Sequence, residues 1–212
     1  MGRLKTHWLQ ILTHIVSLLP LAILIWDFRQ DRLTANPIQE ITLRTGSYSL
    51  ILLLLSLACT PLNTMFGLKS VSRLRRPLGL YGFMYACLHT LNFIGLDYGF
   101  NLNLLREDVF GKAYIWAGVI AWLALLPVAI TSTRGWIKRL GRNWERLHWL
   151  VYPAALLSVF HFLLLVKADR REPLLYAAAV GLLLLLRLPG VRRVVNKLRD
   201  RLKFPTFLAH SG

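Results

Sequence analysis

Three histidines stand in apolar surroundings where an imidazole needs a partner. His89 lies within 81–93, YGFMYACLHTLNF, and His148 and His161 lie within 147–166, LHWLVYPAALLSVFHFLLLV. An imidazole in hydrocarbon costs free energy unless something binds it, so ionisable residues in apolar helices are functional candidates. Imidazole is also a good ligand for haem iron, and helix bundles build cofactor sites from facing helices. Histidines of this kind, on two separate apolar segments, point to haem and to electrons moving across a membrane.

The elements that must position them follow from composition. Of 212 residues 55% are hydrophobic and only 17% charged, with a mean hydropathy of +0.48, which excludes an ordinary soluble domain. The apolar residues come in blocks of about 20, the length a helix needs to cross roughly 30 Å of hydrocarbon. The pattern predicts an all-α integral membrane bundle of six transmembrane helices in one domain, over 8–26, 45–62, 77–96, 113–131, 148–166 and 174–188. The first block lacks the short apolar region and cleavage site of a secretory signal and is read as a span. Asn36-Pro37 is a turn signal, and Pro77 opens a helix where its missing N–H costs nothing. Cys59 and Cys87 sit inside apolar blocks as small core residues, with no disulfide framework. No internal repeat and no second soluble domain is evident.

Six spans put both termini on one side, and the charges then sort by face. The N-terminus, 63–76, 132–146 and the tail from Arg187 hold 18 of the 26 Lys and Arg, with only Glu145 and Asp200 as acids. The opposite loops hold 8 basic and 8 acidic residues. The net +16 therefore lies on one face, which the positive-inside rule makes cytoplasmic. The charge is topological and excludes a nucleic-acid partner. In the tail, 189–204, Val191, Val194, Val195, Leu198 and Leu202 follow helical spacing among Arg and Lys. That describes a basic helix lying on anionic membrane lipid, or else a docking surface for a cytoplasmic electron donor.

Depth can be read from spacing. His89 lies 12 residues after Pro77, and His161 lies 13 after His148. At about 1.5 Å per residue both reach roughly 18–20 Å from the cytoplasmic end, toward the outer leaflet. Matched depth on two helices is what an iron with two axial histidines requires. Running back from His89 one face carries Ala86, Gly82 and Gly79, and from His161 one carries Ser158, Ala154 and Val151. Small residues at this spacing admit either a cofactor or another helix. His148 sits at the cytoplasmic end of its span, the place for a second haem whose other ligand must come from elsewhere. His14, near the cytoplasmic side of the first span, either bonds a carbonyl or supplies that ligand. Arg75 and Arg76 lie at the same depth and either mark topology or pair with haem propionates. In a straight helix His148 and His161 point roughly 140° apart; Pro153 between them can rephase the helix. His7 and His210 lie in polar termini. There is no Ser-His-Asp set, HExxH, glycine-rich phosphate loop or nicotinamide or flavin fingerprint, so the chain is expected to carry electrons without a substrate-converting site of its own.

Several motifs together resemble one family. Arg75-Arg76-Pro-Leu-Gly-Leu leading to His89, Thr131-Ser132, Leu140-Gly141-Arg-Asn-Trp144-Glu-Arg-Leu-His148-Trp-Leu-Val-Tyr152, and His161 look like the MsrQ (YedZ) family. These are haem-binding membrane subunits of a bacterial methionine sulfoxide reductase system, related to the ferric reductase and NADPH oxidase transmembrane domain. The resemblance spans nearly the whole chain and is strongest over 131–161. It implies an inner-membrane subunit passing electrons from the quinone pool or a cytoplasmic flavin reductase to MsrP, a periplasmic molybdopterin enzyme that reduces methionine sulfoxide in oxidised proteins. It implies b-type haem, one or two, with FMN also attributed to the family. Carried onto this chain, His89 and His161 match one bis-histidine haem and His148 a second. Where the wider superfamily has another histidine on the third helix, this sequence has Arg75 or Arg76. Two other functions fit the residues: a self-sufficient transmembrane ferric or oxygen reductase, and a non-redox small transporter or assembly factor.

Overall fold

A computed structural model of the chain describes residues 2–201, and every regular element in it is helical. In order these are α1 (Gly2–Arg29), α2 (Pro37–Phe66), α3 (Lys69–Ser72), α4 (Arg75–Asn92), α5 (Leu102–Gly111), α6 (Ala113–Ile130), α7 (Arg134–Leu140), α8 (Arg142–His148), α9 (Val151–Leu165), α10 (Arg171–Leu185) and α11 (Pro189–Arg201). A π-helical turn, Phe93–Asp97, continues α4. The Asn36-Pro37 signal is the start of α2: Pro37 opens the helix and the Asn36 side chain accepts from the Gln39 N–H at 3.1 Å. Gly67, at φ +68°, ends it with its own N–H on the Asn63 carbonyl.

Four segments are long and apolar enough to cross a membrane: Trp8–Arg29, Pro37–Phe66, Ala113–Ile130 and Arg142–Leu165. A fifth counts if α10 and the helix after it, which bend by 77° at a short break, form one span. The six expected spans are therefore reduced on length and composition. The expected third span becomes α4, whose 18 residues include Arg75, Arg76, Gly79 and Gly82 facing α2, and His89. The expected sixth becomes α10, whose 15 residues reach only about 22 Å at 1.5 Å per residue. The tail helix is present as α11; residues 202–204 of the expected tail, and His210, lie outside the described residues, as does the side chain of His7.

The largest interfaces pair α2 with α4 and α6 with α9. A core of Leu50, Leu53, Leu57, Leu125, Ala154, Ala155, Val159 and Val180 joins the two pairs to α10. Outward faces carry large exposed apolar side chains such as Trp8, Ile15, Leu55, Leu123, Phe160 and Leu182, as lipid-facing surfaces do. The fully buried Tyr85 fastens α1. Its hydroxyl donates to the Ser17 carbonyl at 2.8 Å and accepts from the Leu21 N–H at 3.0 Å, standing in a helical hydrogen bond beside Pro20.

The helix bearing His148 and His161 is broken rather than straight. Trp149, Leu150 and Tyr152 all bond three residues back, to Arg146, Leu147 and Trp149, between α8 and α9. This tighter winding changes the rotation per residue, and Pro153, in the first turn of α9, leaves no N–H to restore the regular ladder.

Candidate functional site

His89 on α4 and His161 on α9 face each other. Their ring centroids are 6.1 Å apart and their planes perpendicular, at 90°. Each ring is fastened from behind by a different helix. His89 Nδ1 is 2.9 Å from the Thr42 carbonyl on α2, and His161 Nδ1 is 2.6 Å from the Tyr114 carbonyl on α6. A carbonyl only accepts, so Nδ1 carries the proton and Nε2 is left with its lone pair. Four residues after each carbonyl stands a glycine, Gly46 and Gly118, with the imidazole packed onto its backbone. The spacing repeats as well: each histidine lies 47 residues after its carbonyl. The absence of an internal repeat, expected from the sequence, thus does not hold for geometry, since α2–α4 and α6–α9 carry one arrangement twice. In that register Arg76 falls where His148 stands, each 13 residues before its histidine.

His148 is buried at the end of α8, only 8% exposed. Its Nδ1 is 2.9 Å from the Trp144 carbonyl, its ring lies 3.9 Å from the Trp144 ring, and its Nε2 is 3.3 Å from Ser132 Oγ. Trp144 is itself anchored through Nε1–H to the Thr131 carbonyl at 2.9 Å. These contacts bring the 131–148 motif residues together. Beside them a cavity of about 250 Å³ is lined by His148, Ser132, Trp144, Arg75, Arg76, Gly79, Ser56 and Arg187, among others. Arg187 donates to the Leu57 carbonyl at 2.6 Å and to the Tyr152 hydroxyl at 2.8 Å, while its Nε is buried without a partner.

His14 does not line this cavity; it bonds the Tyr81 hydroxyl through Nδ1 at 2.9 Å on an exposed flank of α1, so it is not brought to His148. The glycines behind His89 serve helix packing. A Cβ on Gly82 would lie 3.2 Å from the Leu53 nitrogen and 3.3 Å from the Ser49 carbonyl oxygen, and one on Gly79 would lie 3.2 Å from Ser56 Oγ. They let α2 approach α4, and Ala154, wholly buried in the core, does the same for α9.

Residues 45–159 match the family described as ferric reductase like transmembrane component. A protein-methionine-sulfoxide reductase heme-binding subunit MsrQ of Xanthomonas axonopodis pv. citri (strain 306) is 48% identical over 179 residues, covering 82% of each chain. The protein of the same description from Rhodospirillum rubrum is 47% identical over 186 residues, 87% of this chain and 89% of the relative. The chain belongs to the MsrQ family. No solved structure matches it.

The MsrQ relatives carry haem in their names, and the site can be tested for fit. A metal–imidazole bond is about 2 Å, so two imidazoles offering Nε2 to opposite sides of one metal have ring centres roughly 6 Å apart. The observed 6.1 Å agrees, and the Nδ1–carbonyl bonds are the partners that ligating histidines use to fix tautomer and ring orientation. The spacing and the carbonyl-held Nδ1 atoms of His89 and His161 are thus compatible with two imidazoles that would hold one metal between them. Sequence reading missed four supports, Thr42, Gly46, Tyr114 and Gly118; only the equal spacing of two glycine–histidine pairs marks them. Arg187 reads in sequence as the start of the basic tail, although a single arginine closing a run of leucines is a signal for a buried cation.

Proposed function

We propose that the chain is a haem b electron-transfer subunit of the bacterial inner membrane. It takes electrons on its cytoplasmic side from the quinone pool or a flavin reductase. It delivers them to MsrP, a periplasmic molybdopterin enzyme that reduces methionine sulfoxide in oxidised proteins. The proposed topology has six spans, with α4 and α10 as the short or polar ones, and both termini in the cytoplasm. The basic excess on the side of α3, α7, α8 and α11 supports that orientation.

The opposed, carbonyl-held imidazoles of His89 and His161 carry this reading. Bound haem supplies a one-electron iron couple. The chain's own part is to keep each Nε2 free as a ligand, hold the Nδ1 protons on Thr42 and Tyr114, and surround the pair with apolar helices that keep water away. On the side proposed as cytoplasmic, His148 lines a cavity with Arg75, Arg76 and Arg187. Guanidinium groups suit propionates or a phosphate, which supports a second haem or the FMN that the resemblance implies. The test uses the anaerobic, chemically reduced protein. Adding MsrP with a methionine sulfoxide peptide should reoxidise it, and omitting either should not. No reoxidation with both present overturns the proposal.

A further inference from the structure

We propose that Gly46 and Gly118 are positioning residues that set the two axial imidazole planes at right angles. This rests on the reading of His89 and His161 as ligands of one haem. Glycine is the poorest helix former after proline, so a glycine inside α2 and another in the early turns of α6 call for a packing reason. The contacts supply one. A Cβ built on Gly46 would stand 3.1 Å from His89 Nδ1 and 3.2 Å from Cε1. One built on Gly118 would stand 2.8 Å from His161 Nδ1 and 3.1 Å from Cε1. The atoms met belong to a rigid ring, which yields only by turning about its bond to Cβ or by leaving its carbonyl. A side chain at either position therefore rotates or displaces the imidazole.

The carbonyl alone does not fix the ring. It holds one nitrogen but allows the plane to swing about that hydrogen bond. The glycine backbone, one helical turn further on and on the same face as the carbonyl, removes that freedom. Thr42 with Gly46, and Tyr114 with Gly118, thus form two clamps of one design. The clamp on His161 is the tighter, at 2.6 Å to the carbonyl and 2.8 Å to a Cβ, against 2.9 Å and 3.1 Å for His89. The perpendicular planes are the product of both.

The angle between axial imidazole planes controls the magnetic anisotropy of low-spin ferric haem. Perpendicular planes give a highly anisotropic resonance with one dominant low-field line, whereas parallel planes give three resolved components. Electron paramagnetic resonance of the haem-loaded, full-length protein is therefore the readout, with the visible spectrum recorded to count haem. The wild type should show the single low-field line. Gly118→Ala should move that line to higher field or split the signal into resolved components, and Gly46→Ala should move it less in the same direction. Gly181→Ala, where a Cβ meets nothing within 4 Å, should leave it unchanged. If Gly118→Ala loses its haem, Gly46→Ala decides: a shifted line supports the clamp, an unchanged one overturns it. A wild-type signal with three resolved components also overturns it. Wild-type protein without a b-type spectrum instead overturns the haem reading beneath it.

Discussion

Tyr85→Phe isolates the joint between α1 and the rest of the bundle. The substitution keeps the ring and leaves no cavity, so it removes only the hydroxyl that donates to Ser17 and accepts from Leu21. In water each buried group left unpaired would cost about 1–3 kcal/mol. Inside a membrane the reference state finds other partners and measured interhelical bonds average about 0.6 kcal/mol. Because this hydroxyl makes two bonds, and the freed α1 groups can partly rejoin each other, the lower figure applies twice, for about 1 kcal/mol in all. For a chain of this size that is a fall in Tm of roughly 2–4 °C. The assay is thermal unfolding of detergent-purified protein followed by circular dichroism, with the haem spectrum recorded alongside. Tyr85 lies one turn before His89 without supporting its ring, so the spectrum should stay as in the wild type. An unchanged Tm, or a lost haem, would refute the view that this hydroxyl serves only to anchor α1.

Other outcomes follow from single contacts. Gly82→Leu should separate α2 from α4, because its side chain meets backbone atoms of Leu53 and Ser49 that cannot yield; overpacking of this kind costs about 1–3 kcal/mol or more and should appear as a lowered Tm. Arg187→Ala should leave the His89–His161 spectral component intact yet slow reduction by a cytoplasmic-side donor, measured by stopped-flow absorbance. In the loop beyond α4, burial first and then the Asp108 hydrogen bond push the Tyr98 phenol up to about 12. Its folded pKa lies above the unfolded value of 10.0, so its contribution is full below that value and is lost as pH rises through 12. Asp108 is held below the usual carboxylate range by Lys112 first and then Tyr98, so its contribution is present at neutral pH and lost as pH falls through its depressed folded pKa. Protection of α5 in hydrogen exchange should therefore be level from neutral pH to about 10 and fall at either extreme.

Periodicity and block length made much of this architecture legible in advance. Long apolar runs became α1, α2, α6 and α9, and Asn36-Pro37 became a capped helix start. The matched depth of His89 and His161 likewise became a facing pair. What escaped the sequence depends on partners distant along the chain. Gly79 and Gly82 look the same whether they admit a cofactor or a helix, and only the neighbouring backbone of α2 decides. Depth alone leaves His14 between a local hydrogen bond and a place beside His148, and its direction around α1 turns it to Tyr81. Thr42 and Tyr114 act through carbonyls, which leave no trace in residue type. Arg187 reads as topology until the fold folds it back between Leu57 and Tyr152.

The proposed site holds one haem between α4 and α9 through His89 and His161. Its most direct test is the reduced-minus-oxidised visible spectrum of the purified protein and of three variants, with haem supplied during expression. His89→Ala and His161→Ala should each lose the same b-type component, while His148→Ala keeps it. Retention of that component in either of the first two variants, or its loss in all three alike, would contradict the claim.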